Sequence, residues 1–152
     1  MTQHNQTESR ARIDKMIARC REAGLKITPQ RLEVMKAMTA FEGHPSVEEI
    51  HAQVLRTLPT VSLDTIYRTL STFQEHGLIG QVSVVGGSAR FDPNVERHHH
   101  FVCTSCGRVI DFYWPEFDEM IPPEAARELG SILAPQAELR GICKQCQSSS
   151  QN

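Results

Sequence analysis

The chain has 152 residues, 39% of them hydrophobic, and a formal net charge of -2, which suits one ordinary domain or two small ones and excludes a uniformly basic nucleic-acid coat. The charge is uneven: residues 1–36 carry eight Lys/Arg against four Asp/Glu and residues 93–152 carry five against eight, so a polyanion should meet the N-terminal part. No stretch reaches the roughly 20 apolar residues of a membrane span, and the polar start Met1-Thr2-Gln3-His4-Asn5 lacks a signal-peptide pattern, so a cytoplasmic protein is expected.

Residues 1–7 are polar and expected to fray. From about Glu8 to Ala23, Ile13, Met16, Ile17 and Cys20 recur at helical spacing while Arg10, Arg12, Lys15, Arg19 and Arg21 take other faces. That predicts an amphipathic helix with a basic outer side, ended by Gly24. A solvated face explains those arginines as readily as a ligand does, and Cys20 reads as a buried, inert thiol. Thr28-Pro29 is an N-cap followed by proline at the first helical position, opening a second helix to about Ala40. Ser46-Val47-Glu48-Glu49 is a capping box and opens a third, to about Thr57. Ser62 caps a fourth, with Leu63, Ile66, Leu70 and Phe73 on one face and Asp64, Arg68, Ser71, Thr72 and Glu75 opposite. Gln81–Val85 and Ala89–Asp92 then read as strands joined by Gly86-Gly87-Ser88.

Helices followed by a two-stranded hairpin predict a winged helix over residues 1–92, its fourth helix entering the DNA major groove. Arg68, able to grip a guanine edge bidentately, and the flanking Tyr67 are the expected readers. Thr65 on the same helix, with Arg21 and Lys26 from the basic part, completes the candidate DNA-binding set. A small all-helical interaction module would show the same stripes with Arg68 merely solvated.

Pro93–Arg97 is the expected hinge into a second domain, residues 93–152, which makes the chain α+β overall. His98–Val102 and Arg108–Tyr113 read as strands joined by a knuckle at Cys103–Gly107. A short helical stretch from Trp114-Pro115 is interrupted by Pro122-Pro123 and closed near Gly130; Gln136–Cys143 reads as a last strand, and residues 147–152 as a disordered polar tail.

Two cysteine pairs, Cys103-x-x-Cys106 and Cys143-x-x-Cys146, supply four thiolates, the closed set of a structural zinc. In a reducing cytosol such pairs read as metal binding rather than cystines, with a redox dithiol as the other reading. A part this small would be marginal without such a staple. On a strand, His98 and His100 point to one side and His99 to the other. Asp92 and Asp111 are near enough in sequence to complete a nitrogen and oxygen site suited to Fe(II), Mn(II) or zinc; the plain alternative is a solvated run of three histidines.

Thr28-Pro29-Gln30-Arg31, His44-Pro45-Ser46, Thr65-Ile66-Tyr67-Arg68-Thr69-Leu70, Arg90-Phe91-Asp92 and His98-x-His100-x-x-Cys103-x-x-Cys106-Gly107 occur in that order, followed by Asp111 and the second cysteine pair. Over about residues 10–146 this resembles the ferric uptake regulator superfamily of bacterial metal-dependent repressors. The resemblance implies a homodimer on palindromic DNA, an N-terminal winged helix, a C-terminal α/β dimerisation domain, structural Zn2+ on the four cysteines and a regulatory Fe2+ or Mn2+. The chain is most similar to the peroxide-sensing branch, whose regulatory ligands fall on His44, Asp92, His98, His100 and Asp111. Aspartate at the last position goes with peroxide sensing, and His44 and His98 are the imidazoles expected to be oxidised.

Other readings remain beside it. The triple run at His99 is like that of haem-responsive relatives, and an iron-responsive regulator of the same superfamily is a further alternative. No histidine follows His100, so a second site of the kind some iron sensors use would lack its downstream imidazole. Two histidines and a carboxylate also describe a mononuclear non-haem iron enzyme, but the chain leaves little room for a substrate pocket, and no enzyme is expected. A zinc-ribbon module that never touches DNA is the last rival.

Overall fold

The computed structural model describes residues 3–84 and 86–149. The chain divides into two compact units, with the division between Val95 and Glu96.

The first unit runs α1 (Gln3–Glu22), α2 (Pro29–Ala40), α3 (Val47–Val54), α4 (Leu63–Glu75), β1 (Gly80–Val82) and β2 (Arg90–Asp92). Helix starts follow the caps in the sequence: Thr28 Oγ1 accepts from Arg31 N at 3.2 Å, and Ser62 Oγ accepts from Thr65 N at 3.1 Å. At Ser46 both halves of the capping box form, with Ser46 N donating to Glu49 Oε2 at 2.7 Å. Two helix ends are Schellman turns. After α1, Leu25 N donates to Cys20 O and Gly24 N to Arg21 O; after α4, Leu78 N donates to Phe73 O and Gly77 N to Gln74 O. Both turns need a left-handed residue, and Gly24 and Gly77 supply φ of 74° and 66°. The core gathers Met16 and Cys20 of α1 with Met35, Met38, Ile50, Ile66, Leu70 and Phe73, closed by Leu78, Ile79 and Phe91. Each large apolar side chain fully buried there contributes about 1.5–3 kcal/mol.

Three expectations for this unit need correction. Helix α1 begins at Gln3 rather than about Glu8, so Gln3–Thr7 are helical; Met1 and Thr2 lie outside the described residues. Polar side chains leave no apolar stripe to detect, yet no glycine or proline there interrupts an i→i−4 ladder. Helix α3 ends at Val54, and the chain to Thr57 continues as tighter turns, with Arg56 N on Gln53 O and Thr57 N on Val54 O. The hairpin strands are three residues each, with Gly80 opposite Asp92 and Val82 opposite Arg90; past them Val84 O already accepts from Gly87 N at 3.2 Å in the turn. The expected strand end at Val85 lies outside the described residues.

The second unit runs β3 (His99–Cys103), β4 (Val109–Phe112), α5 (Pro115–Asp118), α6 (Glu124–Arg127), β5 (Glu138–Gly141) and α7 (Lys144–Ser149). Its sheet has the order β4-β3-β5, antiparallel between β3 and β4 and parallel between β3 and β5. Pro122-Pro123 separates α5 from α6 as expected, since neither proline can donate to a helix ladder. The polar tail is a correction: residues to Ser149 form α7, whose first turn accepts at Cys143 O from Gln147 N. Residues 150–152 lie outside the described residues.

Candidate metal centres

The cysteine cluster is assembled by the parallel pairing of β3 with β5. Cys103 closes β3 opposite Gly141, and Thr104 N donates to Gly141 O at 2.8 Å, which carries Cys143 back beside the first knuckle. Cys143 N then donates to Cys103 Sγ at 3.3 Å, and Gly107 N to Cys103 O at 2.9 Å. All four sulfurs lie within 4.8 Å of one another. Cys106 Sγ and Cys143 Sγ are 3.9 Å apart, close to the separation of about 3.8 Å that zinc–sulfur bonds of about 2.3 Å impose on a tetrahedron and far from a disulfide's.

The electrostatics call for a cation. Hydrogen bonds from the backbone of Cys143, then Cys106 and Ser105, bring the Cys103 thiol down to about 6. Cys146 moves the other way, to about 11: a hydrogen bond with Ser105 pulls it down but is outweighed by Cys143, Cys106, burial and Cys103. Thiolates this close repel one another, and a divalent ion at their centre would offset that repulsion. Zn2+ fits this donor set.

The second set of donors is built from facing strands. His98 and His100 share one side of β3's chain, with Nε2 atoms 2.9 Å apart. Asp111 is the cross-strand partner of His100, and its Oδ1 lies 3.6 Å from Nε2 of both imidazoles. His98 Nδ1 is 2.6 Å from the Glu96 carbonyl, which can only accept, so Nδ1 carries the proton and Nε2 is the nitrogen a metal would take. Gln136 Nε2 stands 3.4 Å from His100 Nδ1. Two imidazoles and a carboxylate so arranged suit a divalent metal of intermediate hardness.

In the first unit, His44 and Asp92 come together for a different reason. The Ser46 to Arg90 bridge and the Phe91 N to Pro45 O bond of 2.9 Å lay the His44-Pro45-Ser46 segment along β2. His44 Nε2 is 3.4 Å from Asp92 Oδ2, while Asp92 Oδ1 accepts from Asn94 N at 2.7 Å. Gly80 faces Asp92 across the hairpin, where an added Cβ would lie 3.6 Å from that of Asp92.

The profile of the ferric uptake regulator family matches residues 22–133, most of the chain. The chain belongs to the ferric uptake regulator family. That is a family of transcription regulators, not enzymes. Among curated relatives, the peroxide-responsive repressor PerR of Staphylococcus epidermidis is 32% identical over 136 residues, covering 88% of this chain and 89% of that protein. Of solved structures, the ferric uptake regulator of Pseudomonas aeruginosa with manganese superposes with a TM-score of 0.66 at 29% identity, covering 84% of this chain and 96% of that one. The peroxide stress regulator of Campylobacter jejuni does so with a TM-score of 0.64 at 27% identity, covering 88% and 97%.

Helices precede a small hairpin in the first unit, and α4 stands with one face outward. Arg68 is 81% exposed and Tyr67 46% exposed, while Thr65 is half-buried with its hydroxyl 2.8 Å from Ser62 Oγ. Arg21 and Lys26 are exposed. A groove of about 1180 Å³ runs between the start of α2 and the face of α4, with Lys26, Arg31, Thr65 and Arg68 on its walls. Arg31 and Gln30 belong with these residues although only the motif containing them stood out in the sequence. Arg31 Nη1 donates to the Lys26 carbonyl at 2.7 Å, and Gln30 Nε2 to Thr69 Oγ1 at 3.2 Å, contacts no spacing rule foretells. No helix among the described residues is long and apolar enough to cross a membrane.

Proposed function

We propose that this protein is a cytoplasmic, metal-dependent transcriptional repressor that senses peroxide, binding a palindromic operator as a homodimer and releasing it when a metal ligand is oxidised. The observation that carries the peroxide reading is the aspartate at position 111, with Oδ1 at 3.6 Å from both His98 and His100 Nε2. The similarity to peroxide-responsive repressors supports it.

On this reading His44, Asp92, His98, His100 and Asp111 bind one Fe2+ or Mn2+, while Cys103, Cys106, Cys143 and Cys146 hold Zn2+ as a closed structural site. Bound Fe2+ would supply the two-electron reduction of peroxide, one oxygen entering the imidazole of His44 or His98 and the other leaving as water, a reactivity Mn2+ would lack. The chain's own residues do the rest. Asp92 and Asp111 balance the ion's charge, and Glu96 holds His98 in the tautomer that presents Nε2. His44 leads directly into the α3 capping box and Asp92 ends β2, so ligation bears on both the helix-turn-helix and the wing. An oxidised imidazole is a poorer donor, and losing it removes the preference for the DNA-competent state; metal must favour that state for the switch to work. Tyr67, Arg68 and Thr65 read bases from α4, and Arg21 and Lys26 meet phosphates. Ile121, Leu129 and Leu133, exposed at 77%, 89% and 97%, support an apolar surface for a second copy.

The test is a gel shift with Mn2+ or Fe2+, followed by peroxide and peptide mass spectrometry. Both metals should give a shifted complex, and peroxide should abolish only the Fe2+ complex while one oxygen is added to His44 or His98. If the Fe2+ form keeps its DNA and neither histidine gains oxygen, an iron-responsive reading replaces this one.

A further inference from the structure

The middle histidine of the run is left over by the function proposed above, and its surroundings are specific. His99 is 0% exposed, on the face of β3 opposite to that of His98 and His100. Its Nδ1 accepts from Ala137 N at 3.0 Å, so the neutral ring carries its proton on Nε2. Nε2 lies 3.2 Å from Asp118 Oδ1, off the line of an ideal hydrogen bond, so the contact is electrostatic first. The same oxygen is 2.6 Å from Arg97 Nε. Phe112, Trp114 and Phe117 enclose the imidazole, with ring centroids at 5.5, 6.5 and 5.1 Å.

An aromatic box would take an apolar side chain at least as stably as a buried imidazole facing a carboxylate, so stability does not explain the pair. Geometry does. His99 ties β3 to the last residue of α5 through Asp118 and to the approach to β5 through Ala137, and His100 N adds a bond to Ala137 O at 3.2 Å. Strand β3 is thus fixed in twist and height from behind, at the residue between its two metal-facing imidazoles. Metal–ligand distances tolerate only about 0.2 Å, and a small rotation of the strand would move both Nε2 atoms by more.

We propose that His99 and Asp118, with Arg97 supplying the compensating positive charge, are positioning residues for the regulatory metal: they set the separation and aim of His98 and His100 without touching the ion. The proposal rests on the reading of the regulatory site above. It also assigns His99 a place in the core, not a ligand role for haem.

The experiment is Mn2+ titration of full-length, zinc-loaded dimer for the wild type, His44→Ala, Asp118→Asn and Arg97→Ala. Zinc content, melting temperature and the ligand-field spectrum of Co2+ in the regulatory site are read alongside. Asp118→Asn should keep one zinc per chain and a near wild-type melting temperature, weaken Mn2+ by about tenfold and change the Co2+ bands. DNA affinity at saturating Mn2+ should be unchanged. Arg97→Ala, at a side chain 45% exposed and so tolerant of substitution, should shift Mn2+ affinity the same way by a smaller factor. Equal Mn2+ affinity and Co2+ spectra in the wild type and both lock variants would overturn the positioning role while leaving the site reading intact. A wild type that takes up no metal beyond zinc, or an unaffected His44→Ala, would overturn the site reading itself. If Asp118→Asn loses zinc or folds poorly, Arg97→Ala decides.

Discussion

Arg68 presents a guanidinium with one edge already engaged: its Nε lies 2.9 Å from Asp64 Oδ2, one helical turn earlier. Both side chains are largely exposed, so the pair adds little to stability; it engages Nε and not the two terminal nitrogens of Arg68. Those nitrogens match a guanine edge. Arg68→Ala should therefore cost about 1–3 kcal/mol in operator binding, roughly 5- to 150-fold, and much less on unrelated DNA; paired gel shifts measure the ratio. Glu33 offers a check in pH. Hydrogen bonds from Lys36 Nζ at 2.7 Å and Thr57 Oγ1 at 2.8 Å hold its carboxyl below the ordinary range. A folded-state value below the unfolded one gives stability that is present above the unfolded value and lost as pH falls through the folded one. Glu33→Gln should lower the melting temperature slightly at neutral pH, and the gap to wild type should close in melts taken below the usual carboxylate range.

At the scale of elements, the caps carry the most weight per residue. Ser46 starts α3 and bridges to Arg90 of β2, while its partner Glu49 also takes Arg90 Nη1 at 2.7 Å, so one side chain pins a helix start and the wing together. Ser46→Ala should cost about 1 kcal/mol, seen in calorimetry as a melting temperature of the first unit lower by about 4–8 °C. These features were legible because they are local: Thr28-Pro29, Ser46 to Glu49 and Ser62 act within four residues. Period two likewise told that His99 faces away from its neighbours. What it meets there was not legible, since Asp118 and Ala137 arrive through α5 and the approach to β5, and no local pattern announces a parallel pairing. The same limit hid the true start of α1 and the existence of α7, polar segments without a stripe. The two cysteine pairs were read from spacing, and the parallel register of β3 and β5 explains how 36 intervening residues are spanned.

For the whole molecule, the two units differ in what holds them. The first has a continuous apolar core, from Met16 through Phe73 to Phe91. The second buries few apolar side chains, chiefly Val102 and Val109 beside Cys103 and Cys143, under strands of four or five residues, and leaves Leu129 and Leu133 almost fully exposed. A core that small does not repay the chain entropy of a parallel pairing closed over a long loop; on the function proposed above, an ion on the four sulfurs and a second copy supply the difference. Cys143→Ser removes one sulfur of the four, the one 3.9 Å from Cys106 Sγ. The variant should fall below one zinc per chain, exchange its amide hydrogens at Glu138–Gly141 much faster, and sediment as monomer. The melting of the helical first unit should be nearly unchanged. Operator binding should nonetheless be lost, because each half-site contact alone is too weak without its dyad partner. Sedimentation and hydrogen exchange on the same sample distinguish this from general unfolding: if Cys143→Ser stays dimeric with β5 protected, the zinc is not what closes the second unit.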